Sequence, residues 1–104
     1  MIVETDTKLS NSYKGNIKVI KESNFQLFGM VLGDIQIHDN STCNINGMVS
    51  GDITIFDNAI VKINGTVTGT VINNGGIVDI YGIVGNLIDT AGKTTVHKNA
   101  VIQK

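Results

Sequence analysis

Between Phe25 and Val71 the chain alternates. The odd-numbered positions in that span number 24; fifteen are apolar, six are Gly, and the remainder are Asp39, Ser41 and Asp57. Of the 23 even-numbered positions, six are apolar: Phe28, Met30, Leu32, Met48, Phe56 and Ile60. Period two is the mark of a strand with one face buried. It predicts odd residues inward and even residues outward. A helix needs apolar residues three and four apart, and they are not placed that way.

The alternation sits on a longer repeat. Gly29-Met-Val-Leu-Gly-Asp-Ile35 returns as Gly47-Met-Val-Ser-Gly-Asp-Ile53, then as Gly65-Thr-Val-Thr-Gly-Thr-Val71, and more weakly as Gly82-Ile-Val-Gly-Asn-Leu-Ile88. The leading glycines are 18, 18 and 17 residues apart. Val31, Ile37, Cys43, Val49, Ile55, Val61 and Val67 follow at a spacing of six. Three six-residue sides make one eighteen-residue turn, which predicts an all-β fold: a single-stranded parallel β-solenoid of triangular section. Residues 16–104 hold about five such coils, a column about 24 Å tall at the usual strand spacing.

Two irregularities shape the expectation. After Val71 the inward set moves to even positions, Val78, Ile80, Gly82, Val84 and Ile88. One residue is therefore missing near Asn73-Asn74-Gly75-Gly76, at a corner whose residue types tolerate left-handed backbone. Residues 1–15 carry no repeat and are expected as an N-terminal cap or flexible tail. At the other end, Asn99-Ala-Val-Ile102 echoes Asn58-Ala-Ile-Val61, and a last partial coil is expected there.

Composition narrows the function classes. Proline is absent, Gly numbers 12 and aromatics make up 5%, so the apolar content is mainly Val and Ile, as strands prefer. The net charge of -1 and the lack of arginine give no clustered basic face for nucleic acid and no guanidinium clamp. No stretch approaches the ~18 apolar residues of a membrane span, and no secretory leader pattern is present. The single cysteine, Cys43, replaces Val61 and Val78 at an inward site and reads as a core residue.

Candidate chemistry is sparse. Asp34 and Asp52 occupy equivalent outward sites and read as solvated Gly-Asp corners. Asp39 and Asp57 stand in Asp-Asn corners, where carboxylates bind turn amides. Asn46 with Asn64, and Asn40 with Asn58, are placed for side-chain amide ladders. His38 and His97 read as surface residues. Neither a nucleophile elbow nor a phosphate loop occurs. The expectation is a protein that is not an enzyme, with no catalytic residue, metal or cofactor.

The repeated Gly-x-Val-x-Gly-Asp-Ile phrase, alternating with Val-x-Ile, resembles the bactofilins over about residues 25–88. The resemblance implies a right-handed triangular β-helix, polymerisation through the end coils, and a bacterial cytoplasmic location that is sometimes peripheral to the inner membrane. The proline-containing tails usual in that family are missing here. Independently of that resemblance, a solenoid has two open ends with unpaired strand edges, to be capped or used. Phe25, Leu27 and Phe28 are assigned to one end, and Val96, Val101 and Ile102 to the other, with Lys98 and Lys104 blunting the latter. Met30, Leu32, Met48 and Phe56 form the candidate lateral interface, with Ile2 and Val3, or Ile17, Val19 and Ile20, as its alternative cover. The expected partner is a second copy, giving a homo-oligomer or filament. The rivals are a protein-binding solenoid, such as a toxin-neutralising immunity protein, and a left-handed β-helix acyltransferase.

Overall fold

The computed structural model describes residues 1–103 and contains strands and turns but no helix. Every strand pair is parallel. The pairs stack into three faces. Face one runs Ile2–Val3, Ile17–Val19, Ile35–Ile37, Ile53–Ile55, 71–73 and 87–89. Face two runs Thr7–Leu9, Asn24–Leu27, Thr42–Ile45, Ile60–Ile63, 77–80 and 93–96. Face three runs Ser12–Lys14, Met30–Leu32, Met48–Val49, 66–67, 83–84 and Val101–Ile102. The chain is thus a parallel β-solenoid of about six turns.

The coil count exceeds the expected five because residues 1–15, expected as a cap or tail, supply a full coil. Thr7 pairs with Phe25 and Tyr13 with Val31, each eighteen residues on. Val3, Leu9 and Tyr13 keep the odd inward phase, but of the phrase that marks the other coils only Gly15 and Ile17 remain, with Asn11 in place of the leading glycine.

Inward residues stack like on like. Ile17, Ile35, Ile53, Val71 and Leu87 form one ladder; Leu9, Leu27, Ile45, Ile63, Ile80 and Val96 form another. This places Val61 and Val78 fully inside with Lys62 exposed, as the parity argument requires. Asp79 also points outward but is half-covered, because His97 lies against it. Ile17 and Val19 are core residues and do not cover an outward face.

The corners differ in their chemistry. Between faces one and two the backbone turns through left-handed residues, Asn40 at φ 64° and Asn58 at φ 61°, where Asn is tolerated. Each turn closes on itself: Ser41 N–H donates to the His38 carbonyl and Ala59 N–H to that of Phe56. Asp39 and Asp57 are exposed there, and the expected carboxylate bonds to turn amides are not formed among the described residues. Between faces two and three, Gly29, Gly47, Gly65 and Gly82 stack directly, and a Cβ on Gly47, Gly65 or Gly82 would overlap the carbonyl oxygen of the glycine one coil before. The role of these glycines is close backbone approach, beyond leaving room in the interior.

The missing residue lies where the sequence placed it. Ile55 pairs with Asn73, eighteen residues on, but Ile60 pairs with Ile77, only seventeen on, so one residue is lost between them. Asn73 is fully buried on the ladder of Val19, Ile37 and Ile55. Its Oδ1 accepts from the N–H groups of Gly76 (2.8 Å) and Gly75 (3.2 Å). Its Nδ2 donates to Thr94 Oγ1 (2.8 Å) and to the Gly76 carbonyl (3.2 Å). The side chain replaces the backbone bonds that the shortened corner cannot make.

A second shortening went unread. Leu87 pairs with Val71 and packs on the core, whereas Ile88, expected inward, pairs with Ile72 and is exposed. The register shift between Val67 and Thr70 in this pairing absorbs the lost residue. Val96 accordingly stacks on Ile80. The Asn99-Ala-Val-Ile102 echo reproduces a local turn, with Ala100 N–H donating to the His97 carbonyl. That turn lies one corner later than its counterpart, so Val101 and Ile102 join face three.

Candidate functional site

Each end of the column presents a coil with an unpaired edge among the described residues. Along a parallel strand, alternate residues direct their peptide groups to opposite neighbours. Val101 and Gln103 donate N–H groups to the Gly82 and Val84 carbonyls. The peptide groups of Ile102, between them, therefore face away from the column. At the other end the N–H groups of Lys18 and Ile20 donate to the Met1 and Val3 carbonyls, which leaves Ile2 facing away. Inward side chains at the ends are only partly covered: Leu9 and Tyr13 at one, Leu87, Ala100 and Ile102 at the other.

The residues assigned to the N-terminal end require correction. Phe25 and Leu27 are fully buried and lie in the second coil, beneath Thr7 and Leu9. Phe28 is outward and half-exposed, with Lys8 Nζ 5.5 Å from its ring centroid. Residues 1–15 form a coil over Phe25 and Leu27, which the polar character of that segment conceals. At the C-terminal end, Val96 and Ile102 hold inward positions of the last coil, while Val101 pairs with Ile83 on the outward side of face three. Lys104 lies outside the described residues.

The outward residues divide between faces. Met30 and Met48 are ladder neighbours on face three, with Leu32 close by. Phe56 does not join them. It follows the face-one strand and stacks on His38, with centroids 4.6 Å apart and planes at 12°. Ile60 and Ile77, neighbours on face two, are 47% and 48% exposed and form a second outward apolar pair. The sequence hid this pair because Ile77 lies beyond the parity change.

Polar ladders tie coils together along the surface. Asn16 Oδ1 accepts the Asp34 N–H (2.9 Å), Asp34 Oδ1 that of Asp52 (2.8 Å), and Asp52 Oδ1 that of Thr70 (2.8 Å). These aspartates are therefore more than solvated corners: each is committed to an amide one coil on. Asn64 Nδ2 donates to Asn46 Oδ1 (2.9 Å), the amide ladder expected of that pair. His97 stacks on Tyr81 (3.9 Å, 6°), and its Nε2 lies 3.0 Å from Asp79 Oδ1. Lys62 Nζ approaches the same Tyr81 ring at 5.3 Å. Cys43 is wholly enclosed, and burial pushes its thiol well up from the ordinary range.

Among the described residues no group of three or more His, Cys, Asp or Glu is placed to hold a metal ion, and no helix is long and apolar enough to cross a membrane. Comparison of the chain with protein-family models, with curated proteins and with solved structures returns no match.

Proposed function

We propose that this chain is a non-enzymatic structural protein that self-assembles by stacking the end coils of its solenoid, as its resemblance to the bactofilins implies. The observation that supports this most is the pair of end coils, each with peptide groups facing away from the column and partly covered inward side chains. A second copy continues every ladder at once and covers Leu9 and Tyr13 at one end, or Leu87 and Ile102 at the other. Unpaired edges of this kind are templates for association unless they are blocked. The buried lone thiol suits a reducing compartment such as the bacterial cytoplasm.

Sedimentation velocity across a hundredfold concentration range, with negative-stain microscopy, tests this reading. The expected result is mass that grows with concentration, as particles elongated along one axis. A monomer at every concentration would contradict it. A second reading, a module that binds another protein through one face, is favoured by Ile60 with Ile77 and by Met30 with Met48, outward apolar neighbours on flat sheet. It predicts the monomeric result.

A further inference from the structure

The two ends are not equivalent. The inward positions of the first coil include Val3, Leu9 and Tyr13, packed on the core, and Thr7, which stacks on Phe25; none of these is charged at neutral pH. The last described coil places Leu87, Val96, Ala100 and Ile102 inward together with two polar residues. Thr94 stacks on Val78 and receives the Asn73 amide. Asp89 stacks on Asn73, whose side chain is fully buried. Alternation from Leu87, packed on the core, through exposed Ile88 gives Asp89 the inward phase.

We propose that Asp89 is a length-limiting group: its inward carboxylate opposes docking of a second copy on the C-terminal coil, and neutralising it opens that end. The inference rests on the self-assembly reading above. Asp89 is exposed, with no coil over it among the described residues. Docking would remove its water. Stacked on the first coil of another copy, it would meet the apolar face-one ladder that ends in Val3. Stacked on another last coil, it would bring two carboxylates together. No free cation faces it in either arrangement: on the first coil the Met1 ammonium is committed to the Tyr13 hydroxyl and the Asn16 carbonyl, and Lys8 and Lys14 hold outward positions of faces two and three. Lys93 lies on the outward ladder of Ile60 and Ile77. Lys98 is in the exposed turn before Ala100, and His97 is held outward by Tyr81 and Asp79. The ladder neighbour facing Asp89 is Asn73, and the other inward positions of its coil carry no titratable group. A carboxylate buried without a counter-charge is expensive, and the cost disappears when it takes a proton.

The test compares the full chain with Asp89→Val and Asp89→Asn by sedimentation velocity and negative-stain microscopy, at neutral pH and at about pH 4, near the ordinary carboxylate range. Far-ultraviolet circular dichroism confirms the fold of each. The wild-type chain is expected to form short assemblies at neutral pH and to lengthen in acid. Both variants should form long assemblies at either pH. At neutral pH their half-assembly concentration should fall roughly tenfold or more. Equal lengths for wild type and variants at neutral pH would overturn the role of Asp89 and leave self-assembly standing. Lengthening by Asp89→Val but not by Asp89→Asn would overturn the proton dependence. Monomers of all three chains at both pH values would overturn this proposal and the self-assembly reading together.

Discussion

Replacing Gly47 by Ala should destabilise the solenoid by about 3 kcal/mol or more. On a domain of this size that lowers the melting temperature by roughly 10–20 °C. The cause is not backbone conformation. Gly47 stands in the middle of a glycine column, and the added Cβ would overlap the carbonyl oxygen of Gly29. The obstacle is backbone, so no rotamer change relieves it. Shifting the third coil away lengthens the bonds from Met48 N–H to the Gly29 carbonyl and from Gly47 N–H to that of Leu27, both 3.0 Å. Coils stacked at strand spacing have no slack in that direction. Lys18→Ala, at an exposed outward position, is the control and should stay within about 0.5 kcal/mol of wild type. Thermal unfolding followed by circular dichroism decides it, and a Gly47→Ala melt within a few degrees of wild type would contradict the close-approach account.

The second large effect runs against the hydrophobic pattern. Asn73 occupies an inward site filled by Val19, Ile37 and Ile55 in earlier coils, so Asn73→Val looks like a repair. The expectation is a loss of about 2–4 kcal/mol. Burying a valine side chain contributes about 1.5–3 kcal/mol. Removing the carboxamide, however, strands the N–H groups of Gly75 and Gly76, the Gly76 carbonyl and the Thr94 hydroxyl. Each buried group left unpaired costs about 1–3 kcal/mol. Two or three such penalties outweigh the gain. The check is the urea midpoint of Asn73→Val beside that of wild type; a higher midpoint would show that the corner does not depend on the amide.

These substitutions mark the limits of what the residues disclose. Period two, the repeat of eighteen and the missing residue near Asn73 were all legible, because apolar side chains must face the interior and a shift of one moves them to the other surface. The first coil was not legible from the repeated phrase. Its inward phase persists in Val3, Leu9 and Tyr13, yet Asn11 stands where the other coils carry the leading glycine, and only Gly15 of the pair remains. The last coil misled for a different reason: Leu87 and Ile88 are equally apolar, so a second lost residue leaves no trace in the pattern. The amide-binding role of Asp34 and Asp52 emerges only when coils are stacked, since each partner lies eighteen residues away. For the same reason, reading the first coil as a tail put Phe25 and Leu27 at an end when they belong to the core.

The central claim is that copies join along the solenoid axis. Fibre diffraction from aligned assemblies of the purified chain tests it most directly. Coil-on-coil stacking keeps every strand perpendicular to the long axis, and therefore predicts a meridional reflection at about 4.8 Å. It also predicts assemblies no wider than a single solenoid. Assemblies with that reflection on the equator, or broadened by side-by-side packing of faces, would contradict it.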